Sequence, residues 1–230
     1  MAITRDDLEQ DRVRAALANT SLARELLSPA ALERSLRQAL LERRKGDDVW
    51  LFAYGSLVWN PMLRYVERQP TILFGYHRGF YLLSRINRGT PEQPGLVLGL
   101  DRGGSCRGMA YRIAAEHVEQ ELRMLWRREM LLGSYQPRWL NVRVHGKAVP
   151  ALAFVVRRSA SGYAGRLSDE DIIARIARAS GFYGSGADYL IATAHGLAGC
   201  GIRDPYLERL RRLLCEAQTK RPGSDPQATA

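Results

Sequence analysis

The sequence predicts a curled, largely antiparallel β-sheet or barrel, with helices before and after it in the chain. Three observations lead to this prediction. Apolar runs separated by glycine- and proline-rich turns fill residues 49–114, a pattern typical of strands joined by turns. No gap between these runs holds a long helical pattern, which argues against the βαβ units of a parallel sheet. Residues 1–47 and 168–219 instead show helical spacing of apolar side chains.

Two helical segments precede the predicted sheet. The first covers residues 6–27 with loosely periodic apolar side chains. The second has Ser28 as its N-cap and Pro29 in its first turn, and it continues to Arg44. We expect an N-terminal helical extension of residues 1–47, packed on a main domain of residues 48–220.

The main domain is predicted to open with a buried strand at residues 49–54. The other predicted strands lie at residues 71–74, 79–84, 96–100, 106–113, 139–144 and 149–156. Helices are predicted at residues 116–132, 168–181, 187–197 and 204–219, with Ser168 as a cap. The tail at residues 221–230 is rich in proline and polar residues and is predicted to be disordered.

The composition limits the classes of partner. The formal net charge is +10, which suits a nucleic acid, an anionic membrane or an anionic small substrate. The arginines are mixed with acids and form no basic run interleaved with aromatics, so a solvated basic surface is favoured and nucleic acid is not expected. No stretch approaches the roughly 20 apolar residues of a membrane span. Without an apolar N-terminal signal, we expect a cytoplasmic protein, and a monomer by default.

The cysteines and histidines indicate no metal site. Cys106, Cys200 and Cys215 are far apart, which fits reduced, mostly buried thiols. The four histidines are equally scattered and form no H-x-x-x-H pair. We therefore expect neither a metal nor an organic cofactor.

The first strand ends abruptly at Gly55-Ser56, within the stretch VWLFAYGSLVW. Gly55 permits a positive φ, and the next backbone N–H groups can then point toward one place, which suits a carboxylate or a phosphate. A tight turn between two core strands explains the same residues without any ligand.

One carboxylate of the predicted helix 116–132 falls on its apolar face. Val118, Leu122, Leu125 and Leu132 form that face and Glu129 lies near its centre, whereas Glu119, Glu121, Arg123, Arg127 and Arg128 are predicted on the other, charged faces. Such a carboxylate is paired, or has a raised pKa, or lines a cavity. An ion pair with an arginine or a helix edge open to solvent would also explain it. Tyr135 follows the helix and either supplies a hydroxyl to the same pocket or packs in the core.

These motifs together resemble the ChaC-type, glutathione-specific γ-glutamylcyclotransferases. The matching segments are YGSLVWNP (residues 54–61), GYHR (75–78), RGT (88–90), PG (94–95), CRGMAY (106–111), LWRREMLLGSY (125–135), YL (189–190) and GI (201–202). They extend over about residues 49–210. The chain departs from the family pattern at Ala53, Asn87 and Ser134, and the first two of these changes are expected to bear on loop shape or affinity.

The resemblance implies an α+β fold with a small β-barrel surrounded by helices. It also implies cofactor-independent conversion of glutathione to 5-oxoproline and cysteinylglycine. Glu129 is then the catalytic acid and base, and the loop Tyr54, Gly55, Ser56, Leu57, Val58 and Trp59 binds the glutamyl group. The backbone N–H groups of this loop would hold the substrate α-carboxylate or the developing oxyanion, a choice that the sequence leaves open.

Other roles stay open at this stage. Arg88 pairs with a substrate carboxylate or is merely solvated. Ser56 as a covalent nucleophile is disfavoured, because no histidine or lysine with an orienting partner is apparent in the sequence. The alternative functions are a cyclotransferase for other γ-glutamyl donors and a non-catalytic module that binds γ-glutamyl compounds.

Overall fold

A computed structural model describes residues 3–219, in which five strands form a closed barrel. Its strand order is β1-β3-β2-β4-β5, and β5 closes it by pairing in parallel with β1 and with β3. The remaining pairs are antiparallel. The strands are β1 Val49–Ala53, β2 Glu67–Ser84, β3 Gly95–Ile113, β4 Tyr135–Val144 and β5 Lys147–Val156. The prediction of a largely antiparallel barrel within an α+β fold is confirmed.

Two of these strands are longer than predicted. The segments 71–74 and 79–84 belong to one strand, β2, and the segments 96–100 and 106–113 belong to another, β3. Gly75 has φ +81° and lies at a shift in register between these two strands. Glycine at this position bends the strand instead of ending it, as closure of a small barrel requires.

The helical segments differ from the predictions mainly at their ends. Residues 6–27 form two short helices, α1 Arg5–Glu9 and α2 Arg12–Ala18, and a 3₁₀ helix, Ser21–Glu25. Asp11, which has a positive φ of 54°, separates α1 from α2. Helix α3, Pro29–Leu41, begins as predicted, because the Ser28 side chain accepts a hydrogen bond from the Ala31 N–H.

The helix predicted at 116–132 is shorter. It consists of a 3₁₀ turn, Ala115–His117, and α4, Val118–Glu129, so that Glu129 is its last residue. The segment 168–181 divides in a similar way. Helix α5, Asp169–Ile176, is capped by Ser168 as predicted, and a small hairpin of β6, Ser180–Gly181, and β7, Gly184–Ser185, follows. The last two helices are α6, Gly186–Gly199, and α7, Pro205–Thr219.

The N-terminal helices pack on the barrel domain. Leu8, Leu17 and Leu36 are buried in the same apolar cluster as residues of the barrel and of α4. The Trp139 indole donates a hydrogen bond to the Ala39 carbonyl at 2.8 Å, and Arg85 forms a two-pronged ion pair with Glu25. The tail predicted to be disordered, 221–230, lies outside the described residues.

The described residues also test two expectations from the sequence, that there is no membrane span and that the thiols are mostly buried. No helix within residues 3–219 is both long and apolar enough to cross a membrane. Cys106 is buried as expected, but Cys200 is half-buried and Cys215 is exposed on α7, so the thiols are less buried than predicted.

Candidate functional site

A cleft lies between the YGSL loop, the end of α4 and the N-terminal helices. Its main cavity has a volume of about 160 Å³, and a narrow inner end of about 20 Å³ reaches the YGSL loop. Both parts share Ser56, Glu129, Tyr135 and Tyr189, so the two volumes belong to one continuous site.

Glu129 lies at the junction of the two volumes. As the last residue of α4, it turns its carboxylate into the cleft, with 14% of the side chain exposed. Burial raises the pKa of Glu129, although the neighbouring Arg128 guanidinium opposes this shift. The C-terminal end of a helix also disfavours a negative charge. Glu129 is thus a carboxyl group that exchanges a proton more readily near neutral pH than an ordinary glutamate does.

Arg128 was predicted on an outward face, and this prediction is wrong. Only 7% of its side chain is exposed, because the guanidinium turns inward at the helix end. Its Nε lies 3.1 Å from Glu129 Oε1, its Nη1 donates to the Asn60 carbonyl at 2.7 Å and its Nη2 donates to Ser56 Oγ at 2.9 Å. Arg128 therefore fixes the loop at residues 56–60 against the carboxylate.

Gly55 does not adopt the positive φ that the sequence suggested. Its φ is −129°, and a different contact favours glycine: a Cβ at this position would lie 3.1 Å from Tyr189 Oη, which is a tight approach. Residues Ser56–Val58 form a single 3₁₀ turn. Within residues 3–219, no acceptor is paired with the N–H groups of Ser56 and Leu57. These two donors remain available to an anionic group.

Three tyrosines surround the inner end of the cleft: Tyr54 and Tyr189 are buried, and Tyr135 is half-buried. Tyr54 donates its hydroxyl to the Phe154 carbonyl at 2.7 Å, and Tyr135 donates to the Leu98 carbonyl at 3.1 Å. Tyr189 instead accepts from the Leu98 N–H at 3.2 Å, and its own hydroxyl proton has no acceptor in the described chain. Burial raises the pKa of Tyr189 to about 12, so it stays protonated and can donate.

Arg88 is buried in the outer wall of the cavity. Its Nη1 donates to the Tyr183 carbonyl at 2.6 Å, and its guanidinium carbon lies 5.9 Å from the Trp59 ring centre and 5.7 Å from that of Tyr189. Burial lowers the pKa of Arg88. Of the carboxylates in residues 3–219, none lies within salt-bridge distance of it. Arg88 is therefore a cation that lies near two aromatic rings and is available to an anionic group.

The structure brings most of the predicted site residues together. Glu129, Ser56, Trp59, Arg88 and Tyr135 line the main cavity, and Tyr54, Gly55 and Leu57 line its inner end. Val58 does not reach the cleft, because its side chain is buried in the core and its carbonyl accepts from the Tyr111 hydroxyl. Of the departures from the family pattern, Asn87 and Ser134 line the cavity, whereas Ala53 is buried in β1.

Two residues of the site were missed or left without a role by the sequence. Arg128 was assigned to solvent, although its position directly before Glu129 in the WRREM motif could have drawn attention to it. Tyr189 was noted only as part of a later helix. The available signal was a tyrosine in a helix made mostly of small and apolar residues. Only the fold shows that its hydroxyl lies close to Gly55.

Among residues 3–219, no group of three or more histidine, cysteine, aspartate or glutamate side chains is arranged to hold a metal ion. What the cleft brings together is one buried carboxyl group, two unpaired backbone donors, one tyrosine hydroxyl and one unpaired arginine.

Comparisons with known proteins find similar sequences over most of this chain. The family model described as ChaC-like protein matches residues 49–217. The chain is 39% identical to the glutathione-specific γ-glutamylcyclotransferase of Escherichia coli K12 over 187 residues, which are 79% of this chain and 81% of that protein. It is 32% identical to the human glutathione-specific γ-glutamylcyclotransferase 1 over 183 residues, 76% of this chain and 82% of that one.

A solved structure shows the same fold. The crystal structure of a yeast γ-glutamylcyclotransferase specific to glutathione aligns with a TM-score of 0.68, over 74% of this chain and 96% of the yeast chain. The sequence identity is 22%, so this likeness concerns the fold alone.

Proposed function

This chain belongs to the ChaC-like family, as its motifs predicted, and on that premise we propose that it degrades glutathione by intramolecular cyclisation. The γ-glutamyl group becomes 5-oxoproline, and cysteinylglycine is released. Relatives named for this activity match over three quarters or more of the chain. Glutathione is thus the proposed small-molecule substrate, and the free thiols suit the reducing cytoplasm in which we place the enzyme.

The observation that supports this proposal best is the position of Glu129. Its buried carboxyl group stands between a narrow inner end, lined by the YGSL loop, and a wider outer cavity. A γ-glutamyl group with its polar end at the inner end places its scissile amide beside Glu129, and the rest of the substrate extends into the outer cavity. A binding module has no use for a carboxyl group whose pKa is raised by burial, which favours the enzyme over the non-catalytic alternative.

The reaction needs little covalent machinery. The substrate α-amine attacks its own γ-carbonyl, so that folding the substrate brings the two reacting groups together and supplies much of the rate. An α-amine has an ordinary pKa of about 7.7–8.0 and is mostly protonated at neutral pH. Glu129 takes this proton as general base, and it then gives the proton to the departing amide nitrogen.

The other polar groups of the cleft stabilise negative charge on the substrate during this step. The hydroxyl of Tyr189 and the N–H groups of Ser56 and Leu57 lie at the inner end, where they would stabilise the oxyanion or the α-carboxylate. Arg88 in the outer wall would pair with a substrate carboxylate. Arg128 acts through Glu129 and the loop, and it is a positioning residue.

A substrate panel tests this proposal. Purified protein is incubated with glutathione, with γ-glutamyl amino acids and with γ-glutamylamines, and 5-oxoproline is measured by mass spectrometry. We expect equal amounts of 5-oxoproline and cysteinylglycine from glutathione. Turnover of the other donors but not of glutathione would support a different γ-glutamyl substrate, and tight binding without turnover of any donor would support a binding module.

Replacement of Ser56 by alanine is expected to leave kcat within about tenfold of the wild type. Ser56 Oγ accepts a hydrogen bond from Arg128, and none of the residues that line the cavity in the described chain is a histidine or lysine that could activate it. The variant loses one hydrogen bond to a charged group, about 1.5 kcal/mol. A covalent nucleophile would cost roughly 10⁴-fold or more. A loss of that size, with an acylated wild-type enzyme in intact-mass spectra, would make Ser56 the nucleophile.

The pH profile of kcat/KM is expected to show an acid limb set by Glu129. Glu129 must be ionised to act as base, so activity falls as the pH drops through its raised pKa. Deprotonation of the substrate α-amine does not remove the proton that the leaving nitrogen needs, because the attacking nitrogen loses one proton when the lactam forms and Glu129 can pass it on. Initial rates of 5-oxoproline formation across the pH range measure the acid limb. An acid limb at about 4.3, the value of an ordinary glutamate, would contradict the assignment.

A further inference from the structure

Part of the cavity wall comes from outside the matched family region. The N-terminal segment, defined here as residues 3–27, contributes Ile3, Val13 and Leu17 to the lining of the main cavity. The family model matches only residues 49–217. The segment therefore adds an apolar wall to a site whose other residues all belong to the matched region.

Hydrogen bonds and an ion pair join the N-terminal segment to the loop and the helix that position the Glu129 carboxylate. The Asn60 side chain donates to the Ile3 carbonyl at 2.9 Å, and the Asn60 carbonyl in turn accepts from Arg128 at 2.7 Å. Arg5 forms a two-pronged ion pair with Glu121 on α4, at 2.9 and 3.0 Å. The Arg127 guanidinium, also on α4, donates to the Leu8 carbonyl at 3.1 Å. These bonds fix the segment on the same loop and helix that carry Ser56 and Glu129.

The two ends of the cleft suit different parts of the substrate. The inner end is narrow and offers the polar donors of the YGSL loop and Tyr189, which match the α-carboxylate or the reacting oxygen of a glutamyl group. The cavity on the other side of Glu129 is wider, and Val13, Leu17 and Leu131 make part of it apolar. The inner end, at about 20 Å³, has room for roughly one water-sized group, so only the polar end of the glutamyl group enters it and the leaving group lies on the outer side. The side chain of its first residue then faces an apolar surface.

We propose that the N-terminal segment is a part of the substrate site, and that Val13 and Leu17 form the wall against the cysteinyl side chain of the leaving dipeptide. This inference rests on the proposed function. It makes Val13 and Leu17 specificity-determining residues, although they lie more than 30 residues before the matched region begins. The wall selects the size of the group at the cysteinyl position and takes no part in the proton transfers.

This assignment is tested by changing the size of a wall side chain and the size of the substrate's cysteinyl group. The kcat/KM values are measured for glutathione and for glutathione carrying an S-ethyl group, in the wild type and in Leu17→Ala. The added ethyl group competes with the leucine side chain for space. We expect the S-ethyl to glutathione ratio of kcat/KM to rise by about tenfold or more in Leu17→Ala, as one methylene in an apolar pocket commonly changes discrimination by 10–200-fold.

A matched control separates specificity from stability. Leu22→Ala removes an equally buried leucine, 2% exposed against 3% for Leu17, from the same segment, but Leu22 does not line the cavity. The S-ethyl to glutathione ratio of kcat/KM in Leu22→Ala should equal that of the wild type. The ratio for one preparation does not depend on how much of the enzyme is folded, and Val13→Ala provides a smaller truncation with the same expected direction.

The outcomes distinguish this inference from the proposed function. An unchanged ratio in both Leu17→Ala and Val13→Ala, with an active wild type, would overturn the wall assignment and leave the proposed function standing. A ratio that rises equally in Leu22→Ala would also overturn it, because the effect would then be a general loosening. A wild type that forms no 5-oxoproline from either donor would remove the proposed function, and this inference with it.

Discussion

Glu129→Gln is expected to lower kcat by roughly 10³-fold or more while the protein stays folded, because general acid–base groups commonly contribute 10²–10⁴-fold. Glutamine keeps the size and one oxygen of the side chain, but it cannot take up the proton of the substrate amine. KM should change little, since the groups at Ser56, Leu57 and Arg88 that are proposed to hold the substrate remain. The measurement is 5-oxoproline formation at saturating glutathione, with circular dichroism to verify the fold.

Glu119→Gln is the matched control for this variant. Glu119 lies on the same helix, α4, but it is exposed and outside the cleft, so its removal should leave the rate unchanged. Wild-type turnover by Glu129→Gln would remove Glu129 from the mechanism. A loss of activity that Glu119→Gln shares would point to a general effect of charge on the helix.

Arg5→Ala is expected to cause the largest loss of stability among single exchanges at charged residues of the N-terminal segment. Glu121 has a side chain that is 0% exposed, and it accepts two hydrogen bonds from Arg5 and one from the Arg64 N–H. Removal of Arg5 leaves this buried carboxylate without a cation. Breaking a buried ion pair in this way costs about 3 kcal/mol of the free energy of unfolding, which urea denaturation measures.

Two further variants make this prediction specific. Arg12→Ala removes an exposed arginine of the same segment, which pairs with Asp6 and Asp7 at the surface, and it should cost less than about 1 kcal/mol. The double variant Arg5→Met, Glu121→Leu should recover most of the lost stability, because a buried ion pair can be replaced by apolar residues at little cost. An Arg5→Ala variant as stable as Arg12→Ala would show that Glu121 does not depend on its partner.

The sequence placed Glu129 correctly but misplaced its neighbours on the helix. Helical spacing identified the apolar face of α4 that packs on the barrel, and Glu129 interrupts that face. The same reasoning assigned Glu121 and Arg128 to solvent. For Glu121 it failed because the N-terminal segment covers a second side of α4 and buries this residue beneath Arg5. For Arg128 it failed because the guanidinium turns inward at the helix end. Periodicity along one helix carries no information on how many neighbours will cover it.

The barrel was predictable as a class, but its long strands were not. Gly75 and the Gly103-Gly104 pair looked like strand ends in the sequence, since glycine commonly marks turns. All three have a positive φ within β2 or β3, where they bend strands that continue beyond them. Whether a glycine ends or bends a strand depends on the partner strand, which only the three-dimensional pairing supplies.

The roles of Gly55 and the N-terminal segment show the same limit. A turn at Gly55 was predictable, but the close approach of the Tyr189 hydroxyl, which favours glycine, comes from a residue 134 positions away in the chain. The sequence likewise predicted that residues 1–47 pack on the main domain, without indicating that Val13 and Leu17 reach the cleft. Contacts between distant segments decide both roles.

The central claim is that the substrate amine, and not water, attacks the γ-carbonyl. The most direct test is to incubate purified protein with glutathione in H₂¹⁸O and to analyse the products by mass spectrometry. Cyclisation predicts 5-oxoproline without ¹⁸O, together with an equal amount of cysteinylglycine, because no water enters the product. Release of glutamate that carries ¹⁸O would contradict the account, since it would show hydrolysis of the γ-glutamyl bond.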